Sequence, residues 1–398
     1  MDLIILGAIF LVGLMADVLG RLTPMPRVTV LLLSGVLIGP MVLGVISDNY
    51  LDSWFPFLTH VALAMIGFLM GQKLALPALK ENGLHILCIA AFKVCGAALF
   101  VGAAVYWLTE DWPMTLILAG VATATAPAAT FDVVQEFSAL NHSAPSRFID
   151  TLISIVALDD ALALILFSLL LALAVPLSGA ASTSVSYVAG LNEVVGSIAL
   201  GAVLGIPMAY LTGRINFDLN IGEPIQAETY AFVLLVAGIA IEFDLSPILA
   251  SMSMGAVVAS SASHHKRPFE AISGIEWPFL ILFFVLAGAS FTWSGTGALT
   301  ALVIVYIAFR GIGTYVGSAL GATIAREDHQ TRTWIGLTLL PQAGVALGMT
   351  LLATQALPAY ADRIVPVVLA STIILELISP MFTRRILAHL AALREGSS

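Results

Sequence analysis

The stretch Ser154-Ile-Val-Ala-Leu-Asp159-Asp160-Ala-Leu-Ala-Leu-Ile-Leu166 sets two adjacent carboxylates near the middle of an apolar segment running from about residue 147 to 175. Such a segment exceeds the roughly 20 residues that an α-helix needs to cross a hydrocarbon core of about 30 Å. Leaving one charge at that depth costs at least about 2.5 to 3.5 kcal/mol on insertion scales, so two neighbouring acids require partners or a water-filled cavity. A protonated, hydrogen-bonded packing pair is the structural alternative. The functional reading is favoured, because a carboxylate is a hard oxygen ligand that binds either a small cation or a proton. One site that takes either ligand, but not both, is the minimum machinery of exchange.

The rest of the chain is equally apolar. Of its 398 residues, 59% are hydrophobic and 10% charged, and the mean hydropathy is +1.01. Soluble domains carry roughly 25% charged residues, so lipid is the solvent for nearly the whole chain. The net charge of −9 resides mostly in short loops, and no nucleic-acid partner is expected. Cys88 and Cys95, seven residues apart on one helix face, read as packing residues rather than a disulfide or metal cluster, and no cofactor is expected.

Apolar segments fall near residues 3–20, 27–47, 56–72, 84–107, 113–139, 147–175, 187–213, 229–241, 245–262, 276–293, 298–325, 332–356 and 362–390. That pattern predicts an all-α polytopic membrane protein with about thirteen transmembrane helices. Alternate loops collect thirteen of the sixteen basic residues, including Arg21, Arg27, Lys73, Lys80, Arg147, Arg214, Lys266, Arg267, Arg384 and Arg385. Since cytoplasmic loops gather Lys and Arg, the N-terminus is expected outside and the C-terminus in the cytoplasm.

Lining up the unusual residues exposes an internal repeat. Pro127 and Pro341 are 214 apart, Asp160 and Glu376 are 216 apart, and Lys93 and Arg310 are 217 apart. Two six-helix repeats joined by a linker helix at about 187–213 would enter from opposite faces, an inverted-topology repeat.

Pro127 and Pro341 interrupt the segments Gly120-Val-Ala-Thr-Ala-Thr-Ala-Pro127 and Leu339-Leu-Pro341-Gln342-Ala-Gly344. A mid-membrane proline removes a helix hydrogen bond and frees a carbonyl, and two broken helices at matching positions point to a midplane ion site. Thr123, Thr125 and Thr130 add hydroxyls beside the first break. Close packing of small residues is the structural alternative. Arg310 lies about twelve residues inside either end of its segment. It cannot be deprotonated, so it is expected to neutralise Glu376 or one of the two aspartates. Lys93 reads equally well as a snorkelling or a functional residue. His264 and His265, beside Lys266 and Arg267, read as a solvated basic loop, with pH sensing the minority view.

These residues bring in a family resemblance. Ser34-Gly-Val-Leu-Ile-Gly-Pro40, Thr123-Ala-Thr-Ala-Pro127, Ala157-Leu-Asp159-Asp160-Ala, Phe283-Phe-Val-Leu-Ala-Gly-Ala289, Leu340-Pro-Gln-Ala-Gly-Val-Ala-Leu-Gly348 and Leu375-Glu-Leu-Ile-Ser-Pro380 resemble the bacterial monovalent cation:proton antiporters, particularly their second large branch. The resemblance implies a homodimer in the inner membrane, with a fixed dimerisation domain at about 3–72 and 229–293 and an ion-carrying core at about 84–175 and 298–390 that moves as an elevator. It implies that Asp160 is the essential ion and proton carrier, Asp159 its neighbour, and Thr123 to Pro127 the crossing broken helix. Relatives with an Asp-Asp pair commonly carry lysine where Arg310 stands and are electrogenic. Arginine there is more usual with an Asn-Asp pair and electroneutral exchange.

Exchange of H⁺ for Na⁺, with Li⁺ also accepted and K⁺ the alternative, is therefore the expected activity. Electroneutral exchange is expected on the argument that Arg310 stays charged throughout, and two-proton electrogenic exchange is the alternative. An intramembrane aspartyl protease also needs two buried acids, but on facing helices. Here they are sequential and point about 100° apart. A channel would need a ring of like groups around a pore.

Overall fold

The computed structural model describes residues 2–395 apart from 23–26, 47, 75, 127–129, 131–132, 135–136, 138–145, 179–186, 220–223, 262–265, 274–275, 291–296 and 343. Among the described residues every regular element is a helix. In chain order these are α1 (Asp2–Leu22), α2 (Arg27–Ile38), α3 (Asp48–Lys73), α4 (Leu76–Thr109), α5 (Trp112–Val121), α6 (Ser146–Leu177), α7 (Tyr187–Leu219) and α8 (Pro224–Glu242). There follow α9 (Pro247–Ser261), α10 (Lys266–Ser273), α11 (Glu276–Ala289), α12 (Gly297–Ile324), α13 (His329–Thr338), α14 (Gly344–Ala356) and α15 (Ala361–Glu395), with a 3-10 turn at Pro358–Tyr360.

Each expected apolar segment overlaps one of these helices, but two segments are interrupted. The segment at 113–139 loses its helix after Val121, and that at 332–356 opens between Thr338 and Gly344. Five helices among the described residues are long and apolar enough to cross a membrane, at Gly83–Thr109, Arg147–Leu177, Asn192–Thr212, Gly297–Ile324 and Pro358–Leu393, with six shorter apolar helices beside them. At Gly83, α4 bends with φ +75, a left-handed backbone conformation that suits glycine. The short amphipathic α10 was not among the expected segments. It buries Phe269 and Ile272, and the ring of Phe269 stacks on Phe68 with centroids 4.6 Å apart. His264 and His265 lie outside the described residues.

The chain divides into two compact units. The first comprises Met1–Val18, Leu31–Glu81 and Ala181–Ser290. Within it α9 packs against α3 and α7 around Met65, Phe68, Met208, Val233, Val236, Met254 and Phe269. Small residues permit the close approach: a Cβ on Gly71 would meet the carbonyl oxygen of Met252 at 2.2 Å, and one on Gly201 that of Ala250 at 2.0 Å.

The second unit comprises Leu19–Val30, Asn82–Ala180 and Phe291–Ser398. Here α4 and α12 meet through Gly96 and Gly313, each of which would set a Cβ 2.6 Å from the other's carbonyl oxygen. A Cβ on Gly317 would likewise come 3.0 Å from the Cα of Lys93. Such backbone contact lets the long side chains of Lys93 and Arg310 both turn toward the first interrupted segment, and Arg310 reaches the second as well.

Candidate ion-binding site

All the groups that form the site belong to the second unit. The first interrupted segment begins in α5, whose N-terminus is capped where Asp111 Oδ1 accepts from the Met114 N–H at 3.2 Å. The helix ends at Val121, a last turn is closed where Ala122 N–H donates to Leu118 O at 3.0 Å and Thr123 N–H to Gly120 O at 3.2 Å, and residues 124–126 are non-helical; Pro127 lies outside the described residues. Proline disfavours helical geometry in the residue before it, which keeps Ala126, at the end of this non-helical stretch, out of a helix. The second segment stops at Thr338, runs through Leu339–Gln342, and resumes at Gly344.

The two non-helical stretches are bonded to each other. Ala126 N–H donates to the Pro341 carbonyl at 2.9 Å, and Thr125 Oγ1 to the Leu339 carbonyl at 3.4 Å. Gln342 Nε2 donates to the Val121 carbonyl at 3.1 Å and to the Tyr306 hydroxyl at 2.9 Å.

Two fully buried cations complete the arrangement, and they divide the work differently from the sequence expectation. Among the described residues Arg310 makes no direct hydrogen bond or ion pair with Glu376 or with either aspartate, although the Asp159 charge acts on it. Its Nε donates to Ala122 O at 3.0 Å, Nη1 to Leu340 O at 2.6 Å, and Nη2 to Ala124 O at 2.7 Å and Pro341 O at 3.4 Å. Unwound backbone leaves carbonyls without N–H partners, each costing about 1 to 3 kcal/mol if buried unsatisfied. A planar guanidinium with five donors can satisfy several of them at once. Arg310 is thus the clasp that holds both breaks open.

Lys93 carries the ion pair. Its ammonium donates to Asp159 Oδ2 at 2.7 Å, to Thr125 Oγ1 at 2.6 Å and to Thr123 O at 2.5 Å, so its three donors have three acceptors. With Lys93 and Asp159 both 0% exposed, the snorkelling reading of Lys93 is set aside. Asp159 Oδ1 is buried and has no hydrogen-bond partner among the described residues. Asp160, next along α6, is buried as well, and Lys93 lies within range of its charge.

The threonines are less uniform than expected. Thr125 presents its hydroxyl to Lys93, whereas Thr123 ties its hydroxyl to the Gly120 carbonyl at 2.6 Å and offers its own carbonyl instead. Thr130 bonds back to the Ala126 carbonyl at 3.5 Å, and no contact brings it to Lys93 or Asp159. Glu376 accepts from the Thr29 hydroxyl rather than from Arg310. Among the described residues no group of three or more His, Cys, Asp and Glu converges on a metal-binding geometry.

The family model described as the transmembrane sodium/hydrogen exchanger matches residues 6–389. The chain belongs to the sodium/hydrogen exchanger family. As a family member it is 26% identical over 352 residues to human sodium/hydrogen exchanger 9B2, a match covering 84% of this chain and 63% of that protein. It is 26% identical over 325 residues to cation/H(+) antiporter 19 of Arabidopsis thaliana, covering 74% and 38% respectively, and so spans less than two thirds of either relative. The probable Na(+)/H(+) antiporter GerT of Bacillus cereus is 22% identical over 328 residues, covering 81% of this chain and 82% of that one. Among solved structures, the sodium proton antiporter MjNhaP1 of Methanocaldococcus jannaschii at pH 8 superposes with a TM-score of 0.75 at 16% identity over 98% of this chain and 99% of that one. The fold of this exchanger-family member is that of the archaeal protein.

Proposed function

We propose that the chain is a secondary antiporter exchanging protons for a small monovalent cation, Na⁺ with Li⁺ also accepted, and K⁺ as the alternative. The observation that carries this reading is the Lys93 ammonium. It is a monovalent cation tethered to the chain, coordinated by a carboxylate oxygen, a hydroxyl and a freed backbone carbonyl. Those are the hard oxygen donors that a desolvated alkali cation requires. A free cation arriving at Asp159 and Asp160 competes with Lys93 for Asp159 and with protons for both acids.

This competition bears on stoichiometry. Electroneutral exchange was expected because arginine, as the compensating charge, cannot lose its proton. A lysine on Asp159 supports the electrogenic alternative, because it can release its proton when the cation takes its place. Each cation then displaces two protons, one from Asp160 and one from Lys93, and one net charge crosses the membrane. A membrane potential contributes about 2.3 kcal/mol per charge per 100 mV to such a cycle.

The remaining parts of the proposal follow the resemblance and the charge pattern. The protein acts as a homodimer in the bacterial inner membrane, N-terminus outside and C-terminus cytoplasmic. Its core helices at about 84–175 and 298–390 carry the ion past a scaffold at about 3–72 and 229–293, with 187–213 as linker between inverted repeats. Reconstitution into liposomes loaded with a pH-sensitive dye tests the activity. An imposed Na⁺ gradient is expected to move protons in the opposite direction, whereas a channel would show no coupling and a protease no flux.

A further inference from the structure

Glu376 takes no part in the site formed by Lys93, Asp159 and the two breaks, and it lies near the middle of the apolar span Pro358–Leu393. On α15 the residues Ile374, Leu377, Ile378, Met381 and Phe382 are exposed and apolar, a face suited to lipid. The opposite face is buried and polar: Thr372, Glu376, Ser379 and Thr383 follow at spacings of four, three and four residues, so they stack in one line along the helix. All four are at most 1% exposed. The hydroxyls of Thr372 and Ser379, one turn on either side of the carboxyl, have no hydrogen-bond partner among the described residues.

The carboxyl itself accepts from the Thr29 hydroxyl and from the Thr29 backbone N–H in the first turn of α2. Free N–H groups at a helix start favour a carboxylate. Among the described residues no ion pair balances it: neither Arg27 of α2, Arg310 of α12 nor His329 and Arg332 of α13 is paired with Glu376. Both α5 and α14, which also pack on α15, contain no charged side chain. A carboxyl at this depth, held by donors but paired with no cation, has a proton as its natural counter-charge. The unpartnered hydroxyls beside it can pass that proton along through ordered water.

We propose that Glu376 is a second proton-binding site, held by Thr29 rather than by the Lys93 that holds Asp159, reached along the hydroxyl line Thr372–Ser379–Thr383 on the buried face of α15. It takes one proton from bulk water and returns it, with Thr29 as the hydrogen-bond donor to its carboxyl. This holds whether or not the aspartate pair exchanges cations, because its test does not depend on transport. The experiment is infrared pH-difference spectroscopy on the full-length Asp160→Asn protein in lipid, with glutamate labelled by ¹³C at the carboxyl, stepped from about pH 10 to about pH 5. The expected result is a labelled protonated-carboxyl band that is lost in Glu376→Gln and moves to higher wavenumber in Thr29→Val, where the hydroxyl donor is removed. A band unchanged in Glu376→Gln overturns the proposal, as does one unmoved in Thr29→Val should the glutamine variant not fold.

Discussion

Lys93 Nζ lies 2.7 Å from Asp159 Oδ2, and both side chains are fully buried. A buried pair is weak evidence of stability, since desolvating two charges offsets much of their attraction, but removing one partner typically costs about 3 to 5 kcal/mol. Lys93→Ala is therefore expected to lower the thermal stability of the detergent-solubilised protein. It also vacates the position beside Asp159, so added Na⁺ should stabilise this variant more than the wild type. Melting curves with and without salt, against a choline control, check both parts.

Lys93→Arg keeps the positive charge but cannot release a proton. Exchange that persists in this variant is expected to become electroneutral. Solid-supported membrane recordings should lose their sustained current while dye-detected exchange continues. A current equal to the wild type's would remove Lys93 from the proton count.

Asp160→Asn is expected to abolish exchange while leaving a folded protein, because an amide cannot take up the proton that must alternate with the cation. Size-exclusion elution at the wild-type position together with loss of dye response would bear this out. Near wild-type transport would move the carrier elsewhere.

At the first break, Thr125→Val removes a hydroxyl that now holds Lys93 and would hold the cation in its place. Hydrogen bonds to charged groups contribute roughly 1.5 to 3 kcal/mol, so apparent cation affinity should fall by roughly tenfold or more. The titration of the acids should persist. An unchanged half-saturating concentration for Na⁺, Li⁺ and K⁺ alike would contradict the assignment.

Much of this was legible in the sequence. Apolar length marked the helices, and Pro127 and Pro341 marked the two breaks, because a proline ring in mid-membrane leaves few alternatives. The depth of Asp159, Asp160, Arg310 and Glu376 could be read from their surroundings, whereas Lys93 read equally well as a snorkelling residue. Their pairing could not be read. Lys93 and Arg310 sit on α4 and α12, which approach through Gly96, Gly313 and Gly317, so both cations reach the first interrupted segment. Which one meets a carboxylate and which one meets carbonyls depends on where the unwound chain turns its oxygens. The Thr29 partner of Glu376 is 347 residues away along the chain and carries no local signal. The short helix α10 escaped because eight residues with Lys266 and Arg267 at its start read as a basic loop.

The competition between Lys93 and the transported cation for the same oxygens is tested most directly by counting protons released per cation bound. Isothermal titration of Na⁺ into the purified protein, repeated in buffers of different ionisation enthalpy, yields that number at fixed pH. Two protons per Na⁺ are expected if Asp160 and Lys93 both give up a proton. Release of one proton or none would contradict the account.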